Sequence, residues 1–335
     1  MNAPLRVGLI GAGWVTQYHL KAWASLAGRA SVVAIADPSA ENAALRAGEF
    51  GIAATYASAA AMLADGGLDA VDIAAPRAAH ADLVRLAADH GLAVLCQKPL
   101  DTSLAEAERL VADIGGRIRL MVHENWRFRA YYREAAAWLS AGTIGAVKAA
   151  RLSLTTSGTL PNDEGVCPAL ARQPFMRGER RMLVAEVLIH HLDTLRMLLG
   201  PLTVTAARLS RTCPDMAGED GAVIQLETAG GAAVSVFASF AMFGAPATQF
   251  DQLDILGDRG AIRLDGSALS RLGPNARSHV YDLVATYQGS YDATIGHFVQ
   301  ALHDGTPFET APEDNLETLR LVEDCYRLSG WDHAA

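Results

Sequence analysis

Cysteine is scarce in this chain and never clustered: the four, at 96, 167, 213 and 325, include no CxxC pair. A disulfide scaffold or a cysteine-based metal framework needs clustering, so the sequence predicts reduced thiols in a cytoplasmic protein. Positive charge is also in short supply, 28 Lys and Arg against 37 Asp and Glu, for a formal net charge of −9. That balance lacks the basic footprint of a nucleic-acid binder and repels anionic lipid, which leaves a small molecule as the expected ligand. No apolar run approaches the ~18 residues of a membrane span, and the opening residues carry no signal-peptide pattern. What is abundant is apolar material. Half of the 335 residues are hydrophobic and 19% are charged, enough for a sizeable core and inconsistent with disorder. At about 100–200 residues per domain, the length points to two domains.

The first half alternates. Short apolar strands at 5–10, 31–36, 70–75, 92–96 and 119–122 are separated by helical patterns at 16–26, 40–50, 79–90 and 104–114. Parallel strands need crossovers, so this rhythm predicts a doubly wound α/β domain, taken as residues 1–122. From 123 to 335 strands follow one another across Gly-rich turns, at 146–156, 203–209, 222–227, 232–240, 253–257 and 261–264, before helices close the chain. That pattern predicts an α+β domain with a large open, mostly antiparallel sheet. Within 232–240, Val234, Val236, Ala238 and Phe240 lie on one face and Phe237 sits among serines on the other. Two partly apolar faces imply a partner subunit, hence a homodimer or homotetramer.

Two constellations carry chemistry. Gly11-x-Gly13 follows a strand and opens a helix, where backbone N–H groups can meet a pyrophosphate at the positive helix end. Thr16 stands at the third fingerprint position and predicts slightly looser packing there. Asp37 closes the second strand; its carboxylate suits the adenosine ribose hydroxyls and repels a 2′-phosphate, so NAD is favoured over NADP. An alternative role for Asp37 is as the cap of the next helix. Lys98, in Gln97-Lys98-Pro99, lies at a strand's carboxyl end, placed to donate to a substrate oxygen and stabilise developing alkoxide charge. Its bond to Pro99 is a candidate cis peptide. Farther on, Glu186, His190 and Asp193 form one polar stripe on a helix that stops at Gly200-Pro201. A carboxylate one turn before a histidine can fix its tautomer and raise its basicity. A zinc reading of the stripe lacks a second histidine on that face, since His191 points about 100° away, so no metal is expected.

Taken in order, Gly8-Leu9-Ile10-Gly11-Ala12-Gly13, Ala74-Ala75-Pro76 with His80, Gln97-Lys98-Pro99 and Glu186…His190…Asp193 resemble the Gfo/Idh/MocA oxidoreductases. The closing stretch from Phe298 to Pro307, with Asp314 and Leu319, is similar to that family's last helices. The resemblance spans essentially the whole chain. It implies a Rossmann domain, a second domain that supports dimers or tetramers, and NAD(P)-dependent oxidation of a sugar or polyol. It implies Lys98 and His190 as catalytic, with Glu186 where the family usually has an aspartate, and Asp193 at its later aspartate. Cofactor contacts are implied at the Gly11-Gly13 turn with Trp14 and Val15, at Ala75, Pro76 and His80, and at Gln97. Gln97 departs from the customary glutamate: it removes a negative charge near the nicotinamide ribose and keeps an amide that can hydrogen-bond.

Asn125-Trp126-Arg127 resembles the family's interdomain segment. It is either close to nicotinamide and substrate (Asn125 and Arg127 to the cofactor, Trp126 and Arg127 to the substrate) or a structural crossover clamp. Arg172, Arg177, Arg180 and Arg181 form a basic run, read as a solvated loop or as an anion clamp for a sugar acid or phosphate. The first-choice reaction is oxidation of an aldose at C1 to a lactone. Two alternatives stay open: an NAD-dependent glycosidase with transient C3 oxidation, and a non-catalytic NAD-binding sensor.

Overall fold

A computed structural model describes residues 3–248 and 250–334, which divide into two compact units, the described residues up to 129 with 284–319 and those of 130–283 with 320–334. Unit 1 begins with β1 (Leu5–Ile10), α1 (Thr16–Ser25), β2 (Ala30–Ala36), α2 (Ala40–Phe50), β3 (Ala54–Tyr56) and α3 (Ala59–Asp65). It continues with β4 (Ala70–Ile73), α4 (His80–Asp89), β5 (Ala93–Gln97), α5 (Leu104–Ile114) and β6 (Leu120–His123). All six strands are parallel, in the order β3-β2-β1-β4-β5-β6, the doubly wound arrangement of a dinucleotide-binding domain. Val71, Ile73, Val94, Leu95, Met121 and Val122 are fully buried, because helices cover both faces of such a sheet. Asp72 is the exception, an acid buried to the same degree between apolar neighbours. The short β3 escapes the sequence reading: three residues, Ala54-Thr55-Tyr56, give too little pattern to separate a strand from a turn.

Unit 2 contains α6 (Ala130–Ser140), β7 (Val147–Thr155), α7 (Pro168–Arg172), a π-helical turn (Leu183–Leu188) and α8 (Ile189–Leu199). There follow β8 (Leu202–Ser210), β9 (Gly221–Thr228), β10 (Ala233–Ser239), β11 (Phe250–Gly257), β12 (Ala261–Asp265), β13 (Ala268–Leu272) and β14 (Arg277–Val280). These eight strands form one sheet, β14-β13-β12-β11-β7-β10-β9-β8, antiparallel except where β7 meets β10. One face is buried through Leu152, Ile224, Val236, Ile255 and Ile262. The other carries an Arg151–Asp254–Arg263 ion-pair row and the half-exposed Val223, Phe237 and Leu256. The last helices are α9 (Leu283–Asp304), whose residues from Val284 belong to unit 1, α10 (Pro312–Ser329) and the short α11 (Trp331–Ala334). The pattern at 295–303 underestimated α9, and β13 and β14 went unread because Ser, Arg and His interrupt their alternation.

Among the described residues no helix is long and apolar enough to cross a membrane, and no cluster of three His, Cys, Asp or Glu side chains could hold a metal. All four cysteines are unpaired.

Candidate functional site

In unit 1 the glycine turn is shaped by the strand beside it. Gly11 sits at φ +104°, and a Cβ there would stand 2.5 Å from the Ala74 carbonyl oxygen, so only glycine fits. Gly13 is different: a Cβ would meet nothing within 4 Å, so its absence leaves an open approach to the backbone. Thr16 is fully buried, and its hydroxyl donates to the Gly13 carbonyl at 2.6 Å, which accommodates the residue where the fingerprint usually has glycine or alanine. No side chain caps α1, so the N–H groups at its start keep the positive end of the helix open to an anion.

Asp37 accepts from Ala12 N at 2.7 Å and from Ser39 N at 2.7 Å, pinning the end of β2 to the glycine turn. The cap of α2 is Ser39, whose hydroxyl accepts from Asn42 N. Each carboxylate oxygen of Asp37 keeps further lone pairs for ribose hydroxyls. An open glycine approach, an uncapped helix start and an acid at the end of β2 together fit a dinucleotide.

The loops after β4 and β5 are tied by His80. Its Nδ1 lies 2.7 Å from the Pro99 carbonyl and its Nε2 2.9 Å from the Ala75 carbonyl, and the ring is buried. His80 thus bridges Ala75-Pro76 and Lys98-Pro99, whose peptide bond is cis. Behind Lys98, Gln97 turns its amide inward onto His19 and His123. Sequence reasoning passed over His19, Asp72 and His123; the signal available was an aspartate in the otherwise apolar strand Ala70-Val71-Asp72-Ile73.

The segment 125–127 packs into unit 1. Asn125 donates to Ser290 at 2.8 Å. Trp126 is buried, with the Arg129 guanidinium 3.4 Å from its ring centroid. Arg127 is buried and donates to Asp314 at 2.7 Å, the arrangement of the structural clamp held open above.

In unit 2 the expected single helix through Glu186, His190 and Asp193 is two segments. Glu186 lies on the π-helical turn, half-buried, whereas His190 and Asp193 lie buried on α8. The stripe's 100° phase therefore holds within α8 but not back to Glu186. A π-turn widens the helix by a residue and recurs at functional sites.

What fixes that turn is Glu219. It is fully buried and accepts from Met182 N and Val184 N, both at 3.0 Å, and from the Tyr326 hydroxyl at 2.5 Å. Burial pushes its carboxyl above the usual range, against the lowering effect of those hydrogen bonds. Tyr326 in turn accepts from Ala185 N. Glu219→Ala is expected to leave two buried N–H groups unsatisfied, at about 1–3 kcal/mol each. Thermal unfolding several degrees earlier, with kcat falling further than stability alone explains, is the outcome to look for.

His191 is fully buried, with Nε2 3.2 Å from Asp251 and Nδ1 3.1 Å from the Val187 carbonyl. Asp193 sits 3.8 Å from Arg196. Two of the four arginines of the basic run are engaged, Arg181 with Glu323 and Asp332 over the Tyr326 ring and Arg177 with Asp215, while Arg172 and Arg180 are exposed. Those pairings suit a structural strap better than an anion clamp.

Residues 5–117 match the family model described as the oxidoreductase family with an NAD-binding Rossmann fold, and residues 132–263 match the GFO/IDH/MocA C-terminal domain. A D-apiose dehydrogenase of Rhizobium rhizogenes is 33% identical, with 96% of this chain and 94% of that protein covered. The inositol 2-dehydrogenase of Rhizobium meliloti is 27% identical, with 96% of each covered. Among solved structures, an oxidoreductase from Agrobacterium radiobacter in complex with NAD+, L-tartaric acid and magnesium is 32% identical, with a TM-score of 0.90 over 98% of this chain and 97% of that one. Levoglucosan dehydrogenase, 20% identical with a TM-score of 0.85 over 98% and 97%, shares the fold. With both domain models matched in order along one chain, the protein belongs to the Gfo/Idh/MocA family and is an NAD(P)-dependent oxidoreductase.

Proposed function

We propose that this chain is an NAD-dependent dehydrogenase of a sugar or polyol, with an aldose oxidised at C1 to its lactone as the first candidate. The observation that carries the reading is the end-to-end similarity to D-apiose dehydrogenase at 33% identity, which keeps Lys98 and His190 inside the aligned chain.

In this reading Lys98 donates to the oxygen of the reacting hydroxyl and stabilises negative charge as it develops there. His190 takes the hydroxyl proton, and Glu186 orients the imidazole. Asp193 and Trp126 shape the substrate side, and Arg127, buried and paired with Asp314, holds the 125–127 segment in place. Gly11, Gly13, Trp14 and Val15 receive the pyrophosphate, and Asp37 the adenosine ribose. Ala75, Pro76, His80, Gln97 and Asn125 frame the nicotinamide end. Bound NAD supplies the hydride acceptor. A cytoplasmic location agrees with four unpaired cysteines.

The outer sheet face, with Val223, Phe237 and Leu256 half-exposed, is the proposed contact of a homodimer or homotetramer. Light scattering is expected to give a particle larger than the 35.4 kDa of one chain.

The deciding experiment is an NAD-reduction screen over pentoses, hexoses, their acids and inositols, repeated with NADP. Net NADH with one sugar or polyol strongly preferred is the expected result. Cleavage of a glycoside without net NADH, or tight NAD binding with no reduction across the panel, would overturn it.

A further inference from the structure

Beneath Lys98 lies a buried polar chain. Asp72 Oδ2 accepts from Trp23 Nε1 at 2.7 Å and faces His19 Nδ1 at 2.8 Å. His19 Nε2 lies 2.9 Å from Gln97 Nε2, and the same amide nitrogen lies 3.2 Å from His123 Nδ1. Gln97 Oε1 accepts from the backbone N–H of Lys98 at 3.2 Å. The orientation of the amide follows from that last bond. Turned over, it would set an NH2 group against the Lys98 N–H, donor against donor. With the carbonyl committed to Lys98, the NH2 group faces both histidines, so each must present a bare nitrogen to it. His19 is therefore neutral with its proton on Nδ1, pointing at Asp72. His123 is neutral with its proton on Nε2.

The surroundings agree. The two imidazoles stack at 4.4 Å, a poor arrangement for two cations, and Tyr291 lies 5.3 Å from one and 5.1 Å from the other. The Tyr291 hydroxyl is pushed well up by burial and lies 3.0 Å from that of Tyr287. The neighbouring Cys96 thiol is likewise raised by burial, with the Asp72 charge adding to it, so neither holds a competing charge. His19, Asp72 and His123 are fully buried.

We propose that Gln97 is a positioning residue that sets the backbone of Lys98 by anchoring it to two neutral histidines, His19 and His123. The inference rests on the reading of Lys98 as catalytic, but its structural half is independent of any substrate. An amide is the side chain that suits this site, because it offers two donors inward and one acceptor to the Lys98 N–H. A carboxylate at 97 would present acceptors to two bare nitrogens: His123 could answer by moving its proton to Nδ1, but His19, whose Nδ1 proton is held by Asp72, would have to take up a second one.

The test uses the full chain with 15N-labelled histidine, peaks being assigned with His19→Gln and His123→Gln. At pH 7 the wild type should show His19 as the neutral Nδ1–H tautomer and His123 as the neutral Nε2–H tautomer. Gln97→Glu should convert at least one ring to imidazolium. Gln97→Leu, uncharged and so less prone to misfold, should leave mixed tautomers and speed hydrogen exchange at the Lys98 amide about tenfold, the scale of one lost hydrogen bond. On the sugar found by the screen, Gln97→Leu should lower kcat by a similar factor. An imidazolium or a reversed tautomer in the wild type, or unchanged Lys98 exchange in Gln97→Leu, overturns the anchor. Altered exchange with unchanged kcat overturns the positioning role. Failure of the sugar screen alone strikes the dehydrogenase reading and leaves the tautomers and exchange to decide the anchor.

Discussion

His190→Ala is expected to lower kcat by about 10²–10⁴-fold, the usual contribution of a positioned general base. That range corresponds to roughly 3–5 kcal/mol of transition-state stabilisation. The side chain is 92% sequestered, at 8% exposure, on the first turn of α8, and the backbone beneath it is held by Thr194, whose hydroxyl donates to the His190 carbonyl at 2.8 Å. Truncation to alanine, a good helix former, leaves that backbone intact. The fold should survive, and NAD affinity, measured by fluorescence titration, should stay within about twofold. Lys98→Met keeps the length of the side chain and removes the charge; losing one oxyanion donor costs about 10²–10³-fold. If both groups serve one oxygen, the double variant should be little worse than the poorer single one, because groups that act as a unit are not additive. Wild-type turnover in either single variant would refute the assignment. Losses that multiply fully would instead separate the two residues into independent steps.

The sequence is most legible where a regular period lasts. Alternation over 5–122 is strong because parallel strands buried on both faces must be apolar throughout, and the observed order of β1 to β6 follows from it. Gly11 is readable because a strand-to-helix turn has to cross the Ala74 carbonyl closely, which leaves a glycine in the sequence. The π-helical turn is a contrary case. Nothing in Leu183-Val184-Ala185-Glu186-Val187-Leu188 departs from an α-helical pattern. The extra residue is imposed by Glu219 and Tyr326, which are 33 and 140 positions from Glu186 and hydrogen-bond backbone that local sequence cannot address. The same holds for the Asp72–His19–Gln97–His123 chain. Four residues from separate elements meet only once the sheet is assembled, and only the buried aspartate hints at them beforehand.

Asp37→Asn is expected to raise the ratio of kcat/KM with NADP to that with NAD about 10²-fold. The carboxylate stands at the end of β2 beside the glycine turn, where the resemblance to dinucleotide-binding domains puts the adenosine ribose. A 2′-phosphate there meets a like charge, and such a juxtaposition costs several kcal/mol, with about 1.4 kcal/mol for each tenfold. A cation is already at hand. Arg46 reaches from α2 to within 3.5 Å of the Gly13 carbonyl, while its Nη1 pairs with Glu49 at 2.6 Å. Once the repulsion is gone, that guanidinium can serve the phosphate. Asparagine is the informative replacement because it removes the charge while keeping an acceptor for Ala12 N or Ser39 N, so the turn stays pinned on one side. Alanine would lose both pins and weaken NAD and NADP alike. The two effects therefore part in the kinetics: charge acts on the NADP-to-NAD ratio, and the pins act on KM for both cofactors. Should Asp37→Asn raise both KM values equally and leave the ratio unchanged, Asp37 is a structural pin of the turn and the preference for NAD has another origin.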